Sequence, residues 1–97
     1  MSSPTSRTMH VALVSVEEQV WSGNAISVFA KTAEGELGVF RGHQPLLAAL
    51  VPDSTVRIDR PGADSLSVTL AGGGFLSVRG DGVSVLAETA EIASGTL

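Results

Sequence analysis

Few side chains in this sequence are equipped for chemistry. There are two histidines, His10 and His43, ten aspartates and glutamates, and no cysteine. Without thiols there is neither a disulfide framework nor a thiolate metal site. Zinc usually takes three or four His, Cys or carboxylate ligands, and no HExxH motif is present to gather them. No GxSxG elbow sets a serine beside a base. Glu34 and Glu36 flank Gly35, but general acid–base pairs must converge in a pocket. On an exposed turn such a pair is solvated or faces a basic or polar partner. No convergent polar site can be built, so neither catalysis, a cofactor nor a metal is expected.

Three glycine-rich stretches remain. Gly72-Gly73-Gly74 has the composition of a phosphate loop, but such loops aim their amides from a helix N-terminus. Here FLSV follows, a strand pattern, so a tight turn or bulge is expected. Arg79-Gly80-Asp81 matches an adhesion tripeptide by letter, yet Gly80-Asp81-Gly82 sits between two strand patterns and predicts a hairpin turn. The third stretch, EGELGVFRGHQPLLAAL from Glu34 to Leu50, carries Gly35, Gly38 and Gly42 and then His43. By residue type alone, His43 is a structural histidine near a turn, and Trp21 belongs to the core or its edge.

The elements that position these residues are strands. HVALVSV alternates, with Val11 and Leu13 on one face and Ala12, Val14 and Val16 on the other. Both faces are apolar, which predicts a strand covered on both sides. In AISVFAK, Ile26 and Val28 share a face, opposite Ser27, Phe29 and Lys31. In TVRID, Val56 and Ile58 point in while Arg57 and Asp59 point out. Leu66, Val68 and Leu70 alternate with serine and threonine, and FLSV and VSVLA close the series. Turn chemistry separates the runs at WSGN, VPDS, RPGAD, AGGG and RGDG. Short alternating strands at such spacing predict an all-β sandwich or barrel. No segment has a helical stripe, and Pro45 favours extended chain over Gln44–Leu50. Beyond Ala87, ETAEIASGTL is expected to stop short of another core element.

Composition bounds the rest. The chain has 97 residues, 43% of them hydrophobic and 16% charged, with a mean hydropathy of +0.30. One globular domain is expected. Net charge is −4, and the six basic residues are scattered; nucleic-acid binders cluster theirs, so no nucleic acid is expected. MSSPTSRTM lacks the apolar stretch of a secretory signal, and residues 1–8 are expected to be a flexible tail. No run reaches the ~18 apolar residues that span a bilayer. Any membrane link is expected to come through a partner.

In order, HVALVSVEEQVWSGNA, EGELGVFRGHQPLLAAL, VRI, LAGGGFLSV and VSVLAETAE resemble the epsilon subunit of rotary proton-translocating ATP synthases, called delta in mitochondria. The resemblance covers about residues 9–91, leaving 92–97 as a short tail. Its most specific block, EGELGVFRGHQPLL, is similar to the family's EGELGI-x-x-GHxPLL. Supporting blocks are the WSG turn, LxGGG-F-L-x-V and VxVLAE.

The resemblance implies a two-sheet β-sandwich of about ten short strands. It implies a non-catalytic central-stalk subunit beside the gamma subunit and on the c-subunit ring, peripheral on the cytoplasmic side of a bacterial membrane. It assigns the c-ring contact to Glu34, Gly35, Glu36, Arg41, His43 and Leu46, and its glycines to sharp turns that present loop tips. Arg41 departs from the pattern, since the family often has proline or a small residue before Gly-His. Family members commonly continue into two C-terminal helices that carry an inhibitory contact and, in some members, bind ATP. The sequence stops at Leu97 without them, so neither property is assigned to it. The alternative class is a free-standing ligand-binding sandwich. That class needs a pocket lined by several aromatics, and the chain has three Phe, one Trp and no Tyr.

Overall fold

The computed structural model describes residues 8–15, 19–62, 65–80 and 82–94. The tail expected over residues 1–8 falls outside this set except for Thr8, as do residues 95–97. The described chain forms eight strands: β1 (Met9–Ser15), β2 (Gln19–Ala25), β3 (Ser27–Thr32), β4 (Gly35–Phe40), β5 (Leu46–Leu50), β6 (Ser54–Asp59), β7 (Leu66–Arg79) and β8 (Gly82–Ser94). No helix occurs among the described residues.

Two of these strands do double duty. The first half of β7, Leu66–Ala71, pairs with β6 and with Thr89–Ser94 of β8. Its second half, Gly74–Arg79, pairs with β5 and with Gly82–Ala87 of β8. Two five-stranded layers result. Layer I runs β2, β1, β8 (first half), β7 (second half), β5; layer II runs β4, β3, β6, β7 (first half), β8 (second half). The ten short strands expected from sequence are thus eight elements, two of them counted twice. β8 also runs on to Ser94, well past Ala87 where the sequence suggested the core elements end, because its second half completes layer II.

The corner between the layers is a bulge. Ala71 faces Thr89 and Gly74 faces Ala87, so Gly72 and Gly73 oppose Glu88 alone. Such a two-against-one insertion bends and twists both strands. Gly73 has φ +81, and a Cβ there would lie 2.8 Å from the Leu50 carbonyl oxygen. A Cβ on Gly74 would run into the carbonyl oxygen of Leu86. β5 closes the same corner, with Thr32 bridging Leu50 and the Val51 amide donating to the Lys31 carbonyl at 3.0 Å.

Between the layers lies one apolar core. Val11 and Leu13 of β1, Leu76 and Val78 of β7, and Val83 and Val85 of β8 line it from layer I. Val28, Val39, Val56, Ile58, Val68 and Leu70 line it from layer II. The alternation over TVRID and SLSVTL holds residue for residue. Trp21 packs against the core edge, its ring lying over Gly23.

One polar clamp fastens layer II. Asp59 accepts a hydrogen bond from the Ser27 hydroxyl at 2.8 Å and one from the Ser65 hydroxyl at 2.5 Å, and its carboxylate lies 3.3 Å from Arg57 Nε. Its carbonyl accepts from the Ile26 amide at 2.7 Å. Ser27 is only 3% exposed, so its hydroxyl needs this partner. Burial pushes the Asp59 carboxyl up, but the Ser65 and Ser27 hydroxyls and the Arg57 guanidinium outweigh it, and its pKa falls below the ordinary 3.8.

Two outcomes follow. Gly74→Ala is expected to cost about 1–3 kcal/mol through overpacking at the corner. At roughly 4–8 °C per kcal/mol for a domain of this size, melting curves would show the loss plainly; unchanged melting would mean the corner yields freely. For Asp59, a depressed folded pKa adds stability above the unfolded value, and that stability is lost as pH falls through the folded value. Asp59→Asn should therefore be less stable than the parent at pH 7, with the gap closing below about pH 4. A gap independent of pH would mean that packing, not the charge, makes the clamp.

Candidate interaction surface

β3 and β4 form a hairpin whose tip is Ala33-Glu34. Thr32 Oγ1 donates to the Gly35 carbonyl at 2.8 Å and accepts from the Glu34 amide at 3.2 Å. Gly35 follows with φ +129. Glu34, Gly35 and Glu36 are all exposed. Together with Thr32, Leu37, Leu46 and Ala48 they line one shallow cleft. Glu36 also faces Lys31 across the hairpin and borders a second cleft with Val51–Thr55. Two acids thus stand over an apolar floor supplied by Leu37, Leu46 and Ala48.

Arg41 and His43 lie elsewhere. β4 runs from Gly35 to Phe40, about 17 Å at ~3.4 Å per residue, and both residues follow its far end. There Gly42 turns the chain at φ +87, the His43 amide donates to the Phe40 carbonyl at 3.0 Å, and His43 Nδ1 donates to the Gln44 carbonyl at 2.7 Å. Of the six expected contact residues, the fold gathers Glu34, Gly35, Glu36 and Leu46 around one cleft and sets Arg41 and His43 apart. Gly38 makes no turn. It sits within β4 opposite Phe29, whose ring occupies the space a Cβ would need, at 2.9 Å.

The two outer faces differ in charge. Layer II exposes Lys31 and Glu36, the Arg57–Asp59 pair, and Glu91. On it the Arg57 guanidinium lies 4.6 Å over the Phe29 ring, and Phe40 meets that ring edge-on at 5.7 Å. Layer I presents two cross-strand rows without an ionisable group, flanked on the same face by the exposed Arg79 and His10 of the next row. One is Leu47–Ser77–Ser84–Ala12–Ser22, the other Ala49–Phe75–Leu86–Val14–Gln19. Leu47 is 70% exposed, Phe75 52% and Leu86 49%. The strand β1, expected to be covered on both sides, is covered on one; Ala12 and Val14 join these two rows. The double-sided apolar pattern of HVALVSV was its signal in the sequence. Phe75 and Leu86 gave none, because each reads as one more alternating strand residue.

Among the described residues, three surface clefts bear on ligand binding. Those at the hairpin tip and beside Lys31 have no aromatic lining. The third, about 240 Å³, lies over Gly72–Gly74 between Phe75 and Leu86 and is rimmed by Glu88. Small-molecule pockets run to about 300–1,000 Å³ and are lined by several aromatics, so a side chain fits this groove better than a free ligand. No cluster of three or more potential metal ligands occurs among the described residues. No helix among them is long and apolar enough to cross a membrane.

Comparison with known proteins bears on these surfaces. The family model for the ATP synthase delta/epsilon chain β-sandwich domain matches residues 8–93. The ATP synthase epsilon chain of Mycobacterium sp. strain KMS is 49% identical over 86 residues, 89% of this chain and 70% of that one. The epsilon chain of Frankia casuarinae is 50% identical over 84 residues, 87% of this chain and 96% of that one. Among solved structures, a chain of the Euglena gracilis mitochondrial ATP synthase, resolved with its c-ring, superposes with a TM-score of 0.81 at 21% identity. A chain of the Tetrahymena thermophila mitochondrial ATP synthase central stalk and c-ring gives 0.71 at 17%. These two share the fold; this chain spans 56% and 65% of their lengths.

Proposed function

Because the chain belongs to the ATP synthase delta/epsilon family, we propose that it acts as a non-catalytic rotating subunit of the central stalk. It couples the turning of the c ring and gamma subunit to ATP synthesis in the catalytic head. Its location in this proposal is peripheral, on the cytoplasmic side of a bacterial membrane, held there only through the complex. The observation that carries the proposal is the family match over residues 8–93.

The contact with the c ring is proposed at the β3–β4 tip. Glu34 and Glu36 are exposed beside a floor that includes Leu46. Carboxylates at a rim steer and register a polar or cationic loop, while the apolar floor takes the contact dry. Arg41 and His43 belong to the same docking only if the ring reaches past β4 as well. A free-standing ligand-binding module is disfavoured by the open, aromatic-poor clefts.

Two double variants separate these contacts. Glu34→Lys with Glu36→Lys should leave the isolated domain within about 0.5 kcal/mol of the parent, as surface changes usually do. In the assembled complex it should depress proton-driven ATP synthesis in membrane vesicles. Arg41→Ala with His43→Ala should do so only if the turn after β4 also touches the ring. Full coupling in both variants, with both still incorporated, would remove the c-ring contact from the whole Glu34–Leu46 stretch.

A further inference from the structure

Each acid of the hairpin tip follows a peptide unit, and one hydroxyl holds both units. The Glu34 amide, in the peptide before Glu34, donates to Thr32 Oγ1 at 3.2 Å. The Gly35 carbonyl, in the peptide before Glu36, accepts from the same hydroxyl at 2.8 Å. Between them Gly35 sits at φ +129, and a glycine backbone is the freest of any residue when nothing ties it. Thr32 also joins the tip to the rest of its cleft. The acids belong to the β3–β4 hairpin, whereas the floor residues Leu46 and Ala48 belong to β5. β3 meets β5 where Thr32 pairs with Leu50, and the Val51 amide donates to the Lys31 carbonyl beside it. Leu50 in turn pairs with Gly74 at the corner.

We infer that Thr32 is the positioning residue of this contact surface: its hydroxyl fixes Glu34 and Glu36 over the apolar floor before a partner arrives. This role rests on the c-ring contact proposed above. The charge of the tip is the same whatever its shape, so the hydroxyl adds nothing to electrostatic steering. What it removes is backbone freedom that docking must otherwise quench, and preorganisation of that kind tightens binding. The side chain suits the task. A β-branched residue is restricted at χ1, which keeps the hydroxyl on its two partners. Its one donor is spent on Gly35 and one of its lone pairs on Glu34.

The test is a thermodynamic cycle on the ring contact. The full chain, assembled with its gamma chain, is titrated against the detergent-solubilised c ring of the same synthase. Thr32→Val keeps the branched shape and strand preference and deletes only the hydroxyl. It should weaken ring binding about fivefold, the scale of one or two lost hydrogen bonds, mainly through faster dissociation. Its melting point should stay within a few degrees of the parent. Thr32→Ser, which keeps a hydroxyl, should bind within about twofold of the parent. In a chain carrying Glu34→Ala and Glu36→Ala, ring binding is weaker, and the further loss from Thr32→Val should shrink below about twofold, because the hydroxyl acts through the acids. Ring binding unchanged by Thr32→Val, or not restored by Thr32→Ser, overturns the inference. A loss that persists undiminished in the alanine pair also overturns it, since the hydroxyl then does not act through the acids. So does a Thr32→Val chain that melts roughly ten degrees early, which makes the hydroxyl a support of the fold. An alanine pair that binds the ring as tightly as the parent overturns the c-ring reading of the tip itself, and the role of Thr32 falls with it.

Discussion

The architecture depends on the crossing of two backbones at the corner of β7 and β8. Both strands must leave one layer and enter the other without breaking their ladder. A local surplus of chain on one strand produces such a bend, and here the surplus is Gly72-Gly73 against Glu88. Side chains are excluded there by position as well as by φ, because the Leu50 and Leu86 carbonyls fill the space. From this corner the rest follows. The two long strands lie at the interior of layer I, β7 stays interior and β8 forms the edge in layer II, β5 and β3 are drawn together at the corner, and the faces of both layers are brought onto one core.

The sequence carried most of this in its alternation. Val56, Ile58, Leu66, Val68 and Leu70 are buried where period 2 put them. It could not show that LSVTLA and GFLSVR are one strand. A glycine triplet between two alternating runs has the same local signature whether the chain reverses or bends through a bulge. What decides is the partner strand, which lies elsewhere in the sequence. The end of β8 was missed for a related reason: ETAEIAS has little apolar content, and its strand is specified by ladder pairing to Leu66–Ala71.

The candidate site was legible in composition but not in distance. Glycines at 35 and 42 do mark turns, and the acids flanking Gly35 are exposed, as their types suggested. Six intervening residues, however, read equally as one protruding loop or as two turns joined by a strand. Gly38 made the loop more plausible, yet its role is to make room for the Phe29 ring. The Asp59 clamp was likewise invisible, since Ser27, Asp59 and Ser65 come from three separate segments and only strand register brings them together.

The two surfaces can be weighed against each other. Two rows across five strands, at about 4.8 Å between strands and ~7 Å between rows, cover on the order of 300 Å². About half of those positions are apolar. At roughly 25 cal/mol per Å² that amounts to some 4 kcal/mol of burial, below or near the estimated 4–15 kcal/mol lost in immobilising a partner. The two uncharged rows of layer I are therefore too small to hold a neighbour by themselves. A domain engaged through both surfaces at once would gain from effective concentration, because the second contact would form within an assembly already made. A rigid sandwich suits that arrangement. The clamp at Asp59 fastens layer II, to which the hairpin tip belongs, and the bulge at Gly72-Gly73 ties that layer to layer I through two unbroken strands.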